Sequence, residues 1–455
     1  MLDLPVQILN ILALFSPLFS RSVYKNVVIL FVGHILSKGR RTVADILRTL
    51  DLKNLKNFSK FHWILSGAKW TAAKAAGILL WEIIRTFSLS QELVIPIDTT
   101  IERRRGEKIK GLGRQRDPVG STKSRKVLTI GLQWLVASIS IKLPNCPIRW
   151  SLPFFTQLIP PNKPLSTSRN NHDLTTKKKY KKSTEWTVQL IYQIRRWLGK
   201  KMRFVIVADV AFACYKIGHA CVKMNGALIS RLRIDARVFN FPSQKKKRKG
   251  RPLLVGKRFP LFTEYLKDPT LIWQEAEVEW YGGKRKKLLV YTGTGLWYGF
   301  GIPPLTIRWV LIKDPNNPSN PVVLFSTDTT HSPERIIEIF VSRWPLEVTF
   351  EESRRHLGIE TQRQWSDKAI ERTTPCLFAS FSIVTLIAFK LAEEKREKIP
   401  VQQASWYQKT HITFSDCLSY VRLSILKRKY FSKFGCKIDI GKRDLEELIL
   451  RAAAA

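Results

Sequence analysis

The sequence predicts an α/β protein, and three observations carry that reading. Apolar residues recur at helical spacing through the first 90 positions, strand-like apolar runs begin at Leu93, and a helical pattern returns after Val322. A length of 455 residues with 24 Phe and 14 Trp supplies apolar material for two or three packed domains. Composition and punctuation divide the chain into an all-helical region over 1–90, an α/β core over 91–225, a β-rich insertion over 226–314, a second part of the core over 315–398 and a basic helical region over 399–455.

The N-terminal helices come first. Apolar residues lie three and four apart from Ser20 to Leu36, Gly39-Arg-Arg-Thr42 forms a basic turn, and Val43 to Leu50 resumes the period. A further helix runs through Trp70 to Ile84. Helices joined by a basic turn suit contact with DNA as well as plain packing, and no helix-turn-helix signature separates the two. From residue 92 the pattern changes to strands. Leu93-Val-Ile-Pro-Ile-Asp98 and Phe204-Val-Ile-Val-Ala-Asp209 are apolar runs that end in aspartate. Between them lie a long hairpin pair around 127–141 and 148–155 and a helix over 183–198; a later strand, 322–328, precedes the helix that carries Glu347. Antiparallel strands, then a helix, then a strand beside the first is the order of a ribonuclease-H-like fold. It places Asp98 and Asp209 at adjacent strand ends. The 137 residues between Asp209 and Glu347 exceed one helix-and-strand connection, and the alternating segments Gly226 to Ile234 and Leu305 to Ile312 mark the β-rich insertion.

Charge narrows the class of partner. Lys and Arg number 77 against 36 Asp and Glu, a net charge of +41, so the long-range field attracts polyanions. The six cysteines, Cys146, Cys214, Cys221, Cys376, Cys417 and Cys436, form no CxxC pair and read as reduced thiols of a cytoplasmic protein. Cys214, His219 and Cys221 lack a fourth zinc ligand nearby. The first residues carry Asp3 and no basic region, which disfavours a signal peptide, and the apolar run 376–389 reads as a buried core helix.

Asp98, Asp209 and Glu347 are the candidate catalytic and metal-ligating residues. Hard divalent cations take carboxylate oxygens from rigid elements, and a pair of such ions can activate an attacking oxygen and stabilise a leaving one. Proline is tolerated at the first helical position, so a helix ends near Arg343 and a new one begins at Pro345, with Glu347 in its first turn. One face then carries Arg343, Glu347, Glu351 and Arg354, and guanidinium groups there suit phosphate. Asp328, in an Asp-Thr-Thr context like that of Asp98, and Glu351 are the competing positions; Asp98 is preferred because it precedes the long hairpin.

These residues resemble DDE transposases of bacterial insertion sequences, in the cut-and-paste group with a β-rich insertion before the final glutamate. The resemblance rests on Asp98-Thr-Thr, Ile206-Val-Ala-Asp209, Tyr281-Gly-Gly, Arg343-Trp-Pro-Leu-Glu347 and Leu357-Gly-Ile-Glu-Thr-Gln362. The Tyr, Arg, Glu, Lys signature of that group falls on Phe340, Arg343, Glu347 and Arg354, with the spacing kept and the first and last residues changed. Phe340 lacks the hydroxyl of the tyrosine, and Arg354 keeps the charge of lysine with another geometry. The resemblance implies two Mg²⁺ ions, replaceable by Mn²⁺, with Asp98 bridging both and Asp209 and Glu347 each holding one. It implies a homodimer that pairs transposon ends on double-stranded DNA, frees 3′-OH groups and joins them to target DNA in a prokaryotic nucleoid. In some relatives an aromatic residue of the insertion stacks on a flipped base, for which Trp280, Trp297 and Trp309 are candidates.

The remaining DNA contacts are read from basic runs. Lys245, Lys246, Lys247, Arg248, Lys249 and Arg251 surround a Gly-Arg-Pro core suited to a narrow minor groove, and Lys177 to Lys182 forms a second run. Arg103, Arg104 and Arg105 follow Asp98 and would meet DNA near the metals, with Phe340, Arg343 and Arg354 at the site itself. Two other readings stay open: a metal-dependent nuclease that cuts without joining, and a DNA-binding protein without catalysis.

Overall fold

The structure is a computed structural model that describes residues 4–90, 92–117, 120–122, 124–163, 165, 180–200, 202–242, 253–299 and 301–431. Five helices open the chain: α1 (Val6–Ala13), α2 (Arg21–Leu36), α3 (Val43–Thr49), α4 (Ser59–Ser66) and α5 (Ala72–Thr86). Thr42 and Thr71 start α3 and α5 by accepting the backbone N–H groups of Asp45 and Lys74, which otherwise lack helical partners. Val43, Leu47, Phe61 and Ile64 of α3 and α4 form a small cluster of their own, with Val23 and Val27 of α2 packed against it, while α1 and α5 join the sheet. Ile8, Ile11, Leu79, Leu80 and Ile83 share one buried cluster with its strands.

The core begins with β1 (Leu93–Arg103), β2 (Gly113–Arg116), β3 (Leu128–Lys142) and β4 (Arg149–Ile159), which pair antiparallel through β3. After α6 (Ser183–Leu198), β5 (Phe204–Ala208) lies parallel to β1, and after α7 (Tyr215–Lys223), β6 (Gly226–Leu232) lies parallel to β5. Every residue of β5 is buried, as expected of a strand covered on both faces. Phe204, Ile206 and Ala208 join the cluster that includes α6 and α7, and Val205 and Val207 join the one that includes α9 (Pro333–Val341).

Two expectations change here. The first strand continues through Asp98 to Arg103, because its second half pairs with β3 after β5 has ended. Gly226, expected to open the insertion, opens a parallel strand next to β5. Beyond it come β7 (Val238–Phe239), α8 (Phe262–Tyr265), β8 (Gln274–Glu279), β9 (Arg285–Trp297), β10 (Leu305–Asp314) and β11 (Asn317–Ser326). Since β11 pairs with β6, the insertion's strands extend the core sheet, which counts eleven strands among the described residues.

The chain closes over the sheet with α10 (Pro345–Leu357), α11 (Asp367–Lys395) and α12 (Phe414–Phe431). By length and composition α11 is apolar enough to cross a membrane, but it is largely buried, packing against β4, α5 and α12. Cys221 and Cys417 are buried free thiols, and His219 meets the carbonyl of Pro303 through Nε2.

Candidate active site

The register of the sheet sets the site. Pro96 of β1 pairs with Val207 of β5, so Asp98 stands level with Asp209, which follows the last residue of β5. Asp209 caps the short helical turn 210–212, its side chain accepting the Val210 N–H at 2.7 Å. The carbonyl of Asp209 accepts the Ser230 hydroxyl at 3.0 Å, which ties that end of β5 to β6.

Glu347 reaches the same place from α10. Trp344 and Pro345 begin that helix, and Glu347 lies in its first turn. Period-two alternation sends Asp98, Thr100 and Glu102 to one face of β1. The Arg343 guanidinium donates to Asp98 Oδ2 at 2.7 Å and pairs with Glu347 Oε1 at 2.9 Å, with its side chain only 12% exposed. Arg354 donates to Thr100 Oγ1 at 2.6 Å and to the Ile101 carbonyl, and lies 3.4 Å from Glu360. Glu102 is enclosed by Arg104, Trp134 and Thr374. Two signature arginines thus clamp α10 onto β1.

The electrostatics favour a cation. Burial pushes the Asp98 carboxyl up to about 6; Arg343 and the Thr99 N–H oppose the shift, and the negative Glu347 and Asp209 add to it. Asp98, Asp209 and Glu347 offer an all-oxygen donor set of the kind suited to a hard divalent ion. The tightest acidic group among the described residues lies elsewhere. Glu92, Asp328 and His331 gather their ligand atoms within 4.8 Å at the opposite ends of β1 and β11. Arg335 at 2.7 Å from Glu92 and Arg203 at 2.6 Å from Asp328 already balance those carboxylates. Asp328 is therefore remote from Asp98 and held in an ion-pair network.

The other sequence expectations divide. Arg103 and Arg105 are exposed, with Arg103 pairing Asp117 and Glu360. Arg104 is not available to DNA: it is buried and donates to Glu102 and to the Gln364 carbonyl. Glu351 pairs with Arg355 in solvent. Phe340 is half-buried against the cluster of Val205, Val207 and Ile336. Trp297 and Trp309 are buried, Trp309 within an aromatic group that includes Phe262, Tyr265 and Tyr291, so neither is free to meet a base. Trp280 is half-buried under Lys286. Lys245, Lys246, Lys247, Arg248, Lys249 and Arg251 lie outside the described residues, as do Lys177, Lys178 and Lys179.

Sequence reasoning missed Arg231 and Tyr281. Ala208 pairs with Ser230, so exposed Arg231 on β6 continues the row of Asp98 and Asp209. Reading 226 onward as an insertion hid it. Tyr281 comes from the turn between β8 and β9 and feels the charges of Arg343, Glu347 and Arg231. The Tyr281-Gly-Gly motif was its only signal.

A family model described as DDE superfamily endonuclease matches residues 14–287, more than half of the chain. That segment contains Asp98 and Asp209 and ends before α10. No curated protein matches the chain. Among solved structures, the cryo-EM structure of a piggyBac transposase synaptic complex with hairpin DNA aligns with a TM-score of 0.40 at 10% identity, covering 96% of this chain and 81% of that one.

Proposed function

The chain belongs to the DDE superfamily endonuclease family, and from that premise we propose that it is a DNA transposase. In this reading it cleaves phosphodiester bonds at transposon ends and joins the freed 3′-OH groups to target DNA. The observation that carries the reading is that Arg343 pairs with both Asp98 and Glu347 while the strand register sets Asp209 level with Asp98. Asp98, Asp209 and Glu347 would hold the divalent cations, Mg²⁺ or Mn²⁺. What such ions supply when bound is an activated attacking oxygen and a stabilised leaving oxygen.

The chain's own groups do the rest. Asp98 and Asp209 are set by β1 and β5, so two donors stay in place without a partner. Arg343 stands between Asp98 and Glu347 and offers its guanidinium to a phosphate when those carboxylates turn to a cation. Exposed Arg231 and Arg105 extend the positive surface along the DNA. A homodimer pairing two ends and membership of the bacterial insertion-sequence group complete the proposal, supported by the sequence signature Phe340, Arg343, Glu347 and Arg354.

The test is cleavage of a supercoiled plasmid that carries the two ends flanking the coding region, in Mg²⁺, by native protein and by Glu347→Gln. Cleavage is expected from the native protein, with a loss of at least about 10²-fold in the variant. Equal cleavage would remove Glu347 from the site. A pre-cleaved end then separates joining from cutting alone: no joined product would leave a nuclease.

A further inference from the structure

The turn between β8 and β9 is built into the wall of the site. Trp280 N–H donates to the Lys284 carbonyl at 2.7 Å and Gly283 N–H to the Trp280 carbonyl at 3.1 Å. Gly282 and Gly283 have φ of 73° and 74°, where a side chain is strained, and a Cβ on Gly283 would lie 2.8 Å from the Pro147 carbonyl of the β3–β4 connection. The strand leading into the turn is pinned to α9, because the Glu279 N–H donates to Glu338 at 2.9 Å. The turn is therefore wedged between two other parts of the fold.

What it presents is Tyr281. The ring meets Trp344 edge to face at 5.7 Å, three residues before Glu347, and the residue is 39% exposed. Arg343, Glu347 and Arg231 all act on its phenol, which makes no hydrogen bond among the described residues. An O–H donor on a ring packed against Trp344 and close enough to feel Glu347, without a protein acceptor among the described residues, is suited to an oxygen of a ligand. No hydroxyl comes from α9 at this point, since Phe340 packs inward. Lys284, on the same turn, is exposed.

We propose that Tyr281 is a catalytic residue of this site, its phenol donating a hydrogen bond to a non-bridging oxygen of the phosphodiester held at Asp98, Asp209 and Glu347, with Lys284 on a neighbouring phosphate of the same strand. The assignment rests on the endonuclease reading above and names a further contact of that site. Trp344 fixes the ring, so the hydroxyl can be removed without disturbing the wall.

The experiment uses the full chain and a linear duplex of the DNA flanking its coding region. Native protein, Tyr281→Phe and Lys284→Ala are compared by fluorescence anisotropy, thermal melting and single-turnover cleavage. Tyr281→Phe should bind within about twofold of native and melt alike, yet cleave about 10²-fold more slowly, the loss expected when one positioned donor to developing charge is removed. Lys284→Ala should lower the slope of log affinity against log salt by about 0.9. Cleavage by Tyr281→Phe at the native rate overturns this assignment alone. A native protein that leaves the duplex intact in both Mg²⁺ and Mn²⁺ overturns the endonuclease reading and this assignment together.

Discussion

Asp98 is the residue at which stability and function oppose each other. Its carboxyl is pushed from 3.8 up to about 6 by burial and by its acidic neighbours. A folded-state value above the unfolded one means that the folded chain holds the proton more tightly, so this group favours folding below about pH 4 and loses that contribution as pH rises through 6. Relative to the protonated form, ionised Asp98 at neutral pH costs on the order of 3 kcal/mol. Asp98→Asn is therefore expected to raise the melting temperature of metal-free protein at pH 7.5, with the gap narrowing toward pH 5 in scanning calorimetry. Adding Mn²⁺ should raise the melting temperature of the native protein and leave the variant unmoved. A variant that melts below native at pH 7.5 would show that Arg343 outweighs burial. The sequence revealed Asp98 through a strand run ending in a carboxylate. Its raised affinity for protons was hidden, because that depends on burial by segments distant in sequence and on the negative charges of Glu347 and Asp209.

At the scale of elements, single arginines join parts of the chain that are far apart in sequence. Arg372 on α11 donates to the carbonyls of Leu65, Ala68 and Trp70, each at 2.8 Å, and lies over the Trp70 ring. These carbonyls end α4 and lead into α5, so one side chain binds the N-terminal helices to the long core helix. Arg372→Ala would strand three partly buried acceptors and should cost about 3 kcal/mol, read as a lower midpoint in urea with binding of DNA by folded protein retained. An unchanged midpoint would mean that water replaces the guanidinium. The helices themselves were legible from apolar spacing, and the break before Pro345 from proline's missing N–H. Arg104 was misjudged because a run of three arginines looks uniform in sequence, whereas the middle one, just past the end of β1, turns inward to Glu102 and the Gln364 carbonyl while its neighbours stay exposed.

At the scale of the molecule the positive field dominates. On the transposase reading, a net charge of +41 should make association with DNA strongly dependent on salt, and the run Lys245 to Lys249 concentrates five of those charges. Neutralising these five should weaken binding to unrelated duplexes alike and lower the salt slope by as much as about four. An unchanged slope would place the run away from DNA. The β-rich segment extends the core sheet through β11 and β6, so the turn that carries Tyr281 belongs to the same sheet as Asp98.

The sequence by itself determined the α/β class, the order of helices and strands, the helix start at Pro345 and the identity of three candidate carboxylates. Each depends on local periodicity or on the chemistry of one residue type. The tertiary structure alone decided that Asp98, Asp209 and Arg231 share a row, that Arg343 spans two carboxylates, that Trp309 is core and that Tyr281 packs on Trp344. Those facts arise from strand register and from contacts between distant segments, which composition and spacing do not encode.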